Sequence, residues 1–158
     1  GFFRQTFQLG ELTAALGREP QLRQGNHSRS VAGVLRGFHA EPWDKLVQVV
    51  RGTGYCVAAD IRPTSPTFGQ HRAFLLGDAP GEFARLFIAR GLANAVYASS
   101  DMDYLNDVSD EYSPYDRLAI AWNDSDLAVP WPDSNPILSD VDRSAPTLAA
   151  VLASAGYA

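Results

Sequence analysis

Cysteine is nearly absent from this chain. A single one, Cys56, stands among 158 residues, so no disulfide can close within it. The expectation is a reducing, cytoplasmic setting, with Cys56 as small buried packing rather than a reactive thiol. No apolar run approaches the length of a membrane span, and no charged-then-apolar leader opens the chain, so neither a membrane nor secretion is expected. Positive charge is also in deficit: 13 Lys and Arg against 18 Asp and Glu give a net charge of −5 and a pI of about 5.0. That balance argues against a nucleic-acid partner and leaves small anions open. The chain lacks the GxSxG elbow of a serine nucleophile and the GxxxxGK[ST] loop that cradles nucleoside triphosphates. Its three histidines, His27, His39 and His71, are scattered, and His39 has Phe38 and Ala40 as neighbours, so no metal site and no cofactor are expected.

Helical patterns of a dozen residues between strand-like runs are missing as well, which excludes a parallel α/β fold. What remains is a series of short strands at regular spacing. Lys45–Arg51 and Tyr55–Ile61 read as a hairpin turning at Gly52-Thr53-Gly54. Further strands are expected at His71–Leu76, Phe83–Ile88, Asn94–Ser99, Met102–Val108 and Leu118–Trp122, with Gly1–Phe7 as a strand already in progress. Gln21–Ser30 is polar and extended. Leu9–Leu16 suits a short helix stopped at Gly17. Arg62 to Pro66 is a breaker cluster, Gly77 to Glu82 a loop, and 123–144 a long ordered loop. A last helix is expected with Ser144 as its cap, Pro146 in its first turn and Gly156 at its stop. With 46% apolar and 20% charged residues, residues 1–158 read as one all-β sandwich or barrel, able to bury roughly 70% of its unfolded surface.

The chemistry-bearing stretch runs from Asn26 to Arg62. It sets His39 and Lys45 beside rigid sheet. Histidine titrates near neutral pH and can take a proton next to a carbonyl, while a lysine ammonium can stabilise the enolate oxygen that develops. A histidine satisfied by hydrogen bonds in a core is the structural alternative at this point, and Lys45 as an exposed strand-start residue is another. Trp43, Trp122 and Trp131 read as packing residues.

Several blocks go further. GFF at Gly1–Phe3, NHSRS at Asn26–Ser30, GVLRGFH at Gly33–His39, KLVQVVRG at Lys45–Gly52 and SPTFG at Ser65–Gly69 occur in order. They are followed by YSP at Tyr112–Pro114, WND at Trp122–Asp124 and PILSDVDR at Pro136–Arg143. Together they resemble the dTDP-4-dehydrorhamnose 3,5-epimerase family over nearly the whole chain. The resemblance implies a cupin-type jelly-roll barrel with short peripheral helices and a C-terminal helix, forming a homodimer without a metal. It implies a nucleotide-linked 4-keto-6-deoxyhexose as substrate. His39 would remove a proton from carbon 3 or carbon 5, Asp142 would orient it, and Lys45 would hold the 4-keto oxygen. Arg36, Gln24, Asn26 and Ser28 fall in blocks that position sugar and diphosphate, and Phe3 and Gln5 in a segment that meets the base.

The chain also departs from the pattern. The family's proton donor is a tyrosine, and counting back from Ser113-Pro114 its position here is Asn106, whose carboxamide is no general acid near neutral pH. Tyr104, two residues away on the same strand face but displaced by roughly 7 Å along the strand, reads as packing, with substitution for the missing donor as its alternative; water is the other candidate donor. Asn94 stands where the family carries a histidine, and Asn94 and Asn106 are counted among the pocket residues. Glu111 replaces an aromatic beside Tyr112, and the turn from His39 to Lys45 is short. Each of these is expected to alter the pocket. The resemblance further implies strand residues before GFF, including a phosphate-binding arginine, which are expected to be missing. Three readings stay open: an epimerase at C3, C5 or both, a sugar-nucleotide-binding homologue with impaired catalysis, and a related keto-sugar isomerase.

Overall fold

Side-chain alternation organises two sheets in the computed structural model, which describes residues 1–79, 83–113 and 117–156. In chain order the elements are α1 (Leu9–Leu16), β1 (Gln24–Ser30), β2 (Leu35–Ala40), β3 (Lys45–Arg51), β4 (Thr53–Asp60), β5 (His71–Gly77), β6 (Leu86–Ile88), β7 (Leu92–Ala98), β8 (Met102–Val108), β9 (Leu118–Ala119), α2 (Asp140–Arg143) and α3 (Leu148–Ser154). One sheet has the order β1-β8-β3-β6 and the other β5-β4-β7-β2-β9. Every ladder in them is antiparallel. The all-β expectation holds, as two separate sheets among the described residues rather than one closed ladder.

Alternate residues of β4 and β7 go to different cores. Val47, Val49, Met102 and Tyr104 from the four-stranded sheet meet Cys56, Val96 and Ala98 from the five-stranded one, and these fill one end of the space between the sheets. The intervening positions of the five-stranded sheet, Phe38, Ala40, Val57, Ala59, Ala93 and Ala95, pack outward against Ile120, Leu127 and Leu148 of the C-terminal region. Burying Leu148 contributes about 1.5–3 kcal/mol. Asp124 of the WND block ties that cover down: its carboxylate accepts from the backbone N–H groups of Asp126, Leu127 and Leu148 at 3.0, 3.1 and 2.8 Å. Trp131 packs on Phe38, and its Nε1 donates to the Trp122 carbonyl at 2.7 Å. Cys56 is buried, and burial pushes its thiol up to about 12. No helix among the described residues is long and apolar enough to cross a membrane.

Several expected elements differ. β3 and β4 do not form a hairpin: they belong to different sheets, and Gly52 carries the chain between them at φ +75, where a Cβ would lie 2.1 Å from the Asp101 carbonyl. Gly1–Phe7 is not a strand. Arg4 instead holds it beside the sheet, donating from Nη2 to the Val50 carbonyl at 2.9 Å and stacking on Phe83. The expected strand at Leu118–Trp122 is two residues long, and that at Phe83–Ile88 begins only at Leu86. The last helix starts later than its proline suggested, because Thr147 caps it by accepting from Ala150 N at 3.2 Å; Ser144 closes α2 instead. That short helix interrupts the expected 123–144 loop. Pro80 to Glu82 of the expected 77–82 loop and Pro114 of the YSP block lie outside the described residues.

Candidate active site

At the other end of the inter-sheet space the inward side chains turn polar, and they enclose a cavity of about 410 Å³. A β-bulge in β2 makes this possible. Arg36 pairs with Val96 and His39 with Asn94, so two residues on β2, Gly37 and Phe38, oppose one on β7, Ala95. Without the extra residue, Arg36 and His39 would point to opposite faces; with it, both face inward. Gly37 sits in the bulge at φ +115, and a Cβ there would come within 2.6 Å of the Asn94 carbonyl and 2.8 Å of Ala95 Cα.

His39 is brought to an acid by the PILSDVDR block. Ile137 and Gly33 bond through Ile137 N to Gly33 O at 2.8 Å, and Leu35 N donates to Ile137 O at 3.0 Å, which lays the segment alongside β2. Ser139 then caps α2, accepting from Asp142 N at 3.1 Å and donating its hydroxyl to Asp142 Oδ2 at 2.9 Å. Asp142 Oδ1 is left 2.6 Å from His39 Nε2. Asp142 is only 4% exposed, and burial raises its pKa, but the bonds and charges of His39, Ser139 and Arg117 outweigh that and hold it below the usual carboxylate range. An Nε2–H donated to Asp142 leaves the imidazole lone pair on Nδ1, the tautomer of a base. Arg117, just before β9, points Nη2 at the same His39 nitrogen and lies 3.7 Å from Asp142 Oδ1. Nε2 can serve only one of the two at a time.

Lys45, the chain's only lysine, is 3% exposed and enters from β3. Its ammonium pairs with Glu41 and donates to Asn94 Oδ1 at 2.5 Å and to the His39 carbonyl at 3.3 Å. Burial pulls its pKa below the ordinary lysine value, Glu41 works against that, and Arg117 adds to it. The turn from His39 to Lys45 is fixed by Asp44, which is buried, pairs with Arg18 at 2.5 Å and accepts from Arg90 N at 2.9 Å.

The remaining wall comes from β1 and β8. Asn26 pairs in register with Asn106, and Ser28 with Tyr104. Asn26 Nδ2 donates to the Asn106 carbonyl at 3.1 Å, and Arg36 Nε reaches Ser30 Oγ at 3.0 Å. Gln24 lines an adjoining cavity of about 310 Å³ that shares Asn26, His39, Asn106 and Arg117. Of the residues singled out in the sequence, His39, Asp142, Lys45, Arg36, Asn26, Ser28, Asn94 and Asn106 come together in the first cavity. Phe3 and Gln5 do not: both are exposed on the N-terminal segment that Arg4 anchors beside β3. Glu111 is exposed and lines neither cavity, so the expectation that it alters the pocket is not met. Glu41, Arg117 and Ser139 were missed. Glu41 follows His39 by two residues, and strand alternation was a signal for it; Arg117 carried none. Tyr104, expected as packing, both packs in the core and lines the cavity.

A family model described as dTDP-4-dehydrorhamnose 3,5-epimerase matches residues 1–150. The enzyme of that name from Shigella flexneri is 37% identical over 147 residues, covering 90% of this chain and 80% of the relative. Its counterpart in Mycobacterium tuberculosis is 38% identical over 151 residues, covering 89% and 73%. Among solved structures, dTDP-6-deoxy-D-glucose-3,5-epimerase from Legionella pneumophila, in complex with dTDP-4-keto-L-rhamnose, superposes with a TM-score of 0.90 at 36% identity, covering 98% of this chain and 84% of that one. A 3'-monoepimerase from Streptomyces bikiniensis, in complex with dTDP-quinovose, gives 0.87 at 30% identity, covering 97% and 79%.

Proposed function

The chain belongs to the dTDP-4-dehydrorhamnose 3,5-epimerase family, and from that premise we propose that it epimerises a dTDP-linked 4-keto-6-deoxyhexose at carbon 3, carbon 5 or both. The observation that carries the reading is the His39–Asp142 contact of 2.6 Å in a cavity that also holds the buried Lys45 ammonium. A proton α to the 4-keto group passes to His39 Nδ1, and the ionised Asp142 stabilises the imidazolium that forms. The electron pair moves into an enolate whose oxygen meets Lys45. An ammonium has three N–H donors, and the substrate oxygen replaces the weakest present partner, the His39 carbonyl at 3.3 Å. Lys45 is itself buried, and beside a buried ammonium that charge is worth far more than in solvent. Arg36 and Arg117 supply fork-shaped donors for the diphosphate. A homodimer belongs to this reading: Phe2 and Phe3 are 84% and 96% exposed, as residues of a segment that finds its cover on a second copy.

Proton NMR of dTDP-4-keto-6-deoxyglucose in deuterated water tests the proposal. Deuterium is expected to enter carbon 3 or carbon 5 with the parent protein. Exchange is expected to fall by at least about 10²-fold in His39→Ala and to a similar extent in Asp142→Asn, which keeps the shape but loses the charge that fixes the tautomer. Exchange that persists in His39→Ala would remove the base assignment. Asn106, lacking a transferable proton, favours a second reading, a homologue that binds the sugar nucleotide without turning it over. Saturable binding with no exchange at either carbon would select that one.

A further inference from the structure

Inversion at a carbon needs the proton to leave from one face and return to the other. His39 and Asp142 stand on the side of the five-stranded sheet, so a donor has to project from the facing wall, where β1 and β8 contribute Asn26, Ser28, Tyr104 and Asn106. The two carboxamides release no proton near neutral pH, and an aliphatic hydroxyl such as that of Ser28 is a far weaker acid than a phenol. Lys45 is engaged by Glu41, Asn94 and the His39 carbonyl.

Tyr104 is different. It is 7% exposed and lines the cavity, yet its hydroxyl is buried without a hydrogen-bond partner among the described residues. A buried phenol normally finds a partner, and an orphaned one calls for an explanation. The open partner position at the wall of a catalytic cavity is one that substrate completes. Resting on the epimerase reading above, we propose that Tyr104 is the catalytic acid that protonates the enolate on the face opposite His39, taking over a role that Asn106 cannot perform.

The step balances. The C–H bond at the inverting carbon breaks, its proton goes to His39 Nδ1 and its electron pair to the enolate. A new C–H bond forms on the opposite face with the Tyr104 proton, leaving a phenolate. Turnover closes when the phenolate regains a proton from water and the imidazolium loses one to it. Burial raises the phenol well above its ordinary pKa, and Cys56 and Glu41 add to that, so the donor form is the resting form at neutral pH.

The test separates two rates on dTDP-4-keto-6-deoxyglucose in deuterated water: exchange at the reacting carbon and appearance of the inverted sugar. In Tyr104→Phe, exchange is expected within about threefold of the parent, because His39 still removes and returns the proton, while inversion falls by about 10²- to 10⁴-fold. The thermal midpoint should hold or rise, since the variant removes only an unpartnered hydroxyl. Inversion within threefold of the parent's would overturn the assignment. So would loss of exchange and inversion together with an unchanged midpoint, which marks a residue that shapes the cavity. A parent that exchanges without inverting overturns it too. A parent that exchanges at neither carbon sinks the epimerase reading itself, before Tyr104 is altered.

Discussion

Lys45 shows how one side chain's surroundings set its chemistry. Burial disfavours its ammonium, Glu41 favours it, and Arg117 opposes it, with the net effect a pKa below the ordinary lysine value. A lysine that stabilises an enolate must stay charged, so Glu41 acts as the counterweight. Removing its charge in Glu41→Gln leaves burial and Arg117 acting alone, and Lys45 should then lose its proton at a lower pH than in the parent. Because the chain has one lysine, expression with ¹³Cε-labelled lysine places the label on that side chain alone, and NMR titration reads the shift directly. A midpoint that stays put or moves up would show that the Glu41 pair does not govern Lys45. At this scale the sequence was legible where a motif or a period named a residue: His39 and Asp142 through their blocks, Lys45 by its place after His39. Arg117 reaches His39 only through the pairing of β9 with β2, a tertiary event that leaves no local pattern. Tyr104 was legible as packing but not as cavity wall, because core and cavity meet on one strand face, and alternation alone cannot say where one stops.

At the scale of elements, the β2 bulge decides whether Arg36 and His39 share a face, and Gly37 is the residue that permits it. Alanine there must hold φ near +115 and push its Cβ against Asn94 O and Ala95 Cα. The backbone conformation alone costs about 1–3 kcal/mol. Gly37→Ala should therefore unfold at lower urea by at least that amount, and, since a misplacement of about 1 Å can cost about 10²-fold in rate, lose exchange activity out of proportion to the folded fraction. A variant with parental stability and exchange would show that the bulge does not depend on this glycine. Strand periods made β3, β5 and β8 readable to within a residue or two. The β3–β4 connection was not, because a Gly-X-Gly turn serves a hairpin and a crossing between sheets equally well. What distinguishes them is Asp101 packed against Gly52, some fifty residues along the chain. SPTFG was readable only as a block. In the structure Ser65 and Thr67 donate to Asp60 at 2.5 and 2.6 Å, and Arg62 and these hydroxyls hold that carboxyl far below its usual range, so the block is a loop clasp rather than part of the site.

For the whole molecule the informative contrast is between a net charge of −5 and a cavity in which Arg36, Lys45 and Arg117 outnumber Glu41 and Asp142. An acidic protein with a surplus of cations in one cleft offers an anion a local field opposite in sign to its net charge. The composition argues against a polyanion and leaves small anions open, and only the fold shows which cations stand together where one could bind. Lys45 is matched by Glu41, and Arg117 lies 3.7 Å from Asp142, so the surplus rests on Arg36. Arg36 is exposed at the cavity wall and, among the described residues, bonded there only to Ser30, a neutral partner that leaves its charge available to a diphosphate. Arg36→Ala should accordingly raise KM for the nucleotide sugar by about tenfold, the worth of one charge-assisted contact of about 1.5 kcal/mol, with kcat within a fewfold, because Arg36 touches neither His39 nor Lys45. Raising ionic strength from about 0.02 to 0.5 M should weaken binding in the parent, as the Debye length shrinks from roughly 20 Å to about 4 Å, and weaken it less in the variant. Steady-state kinetics at the two salt concentrations give all four values. Equal salt sensitivity in the two proteins, or a fall in kcat with KM unchanged, would place Arg36 outside diphosphate recognition and leave Arg117 as the cation that draws the substrate in.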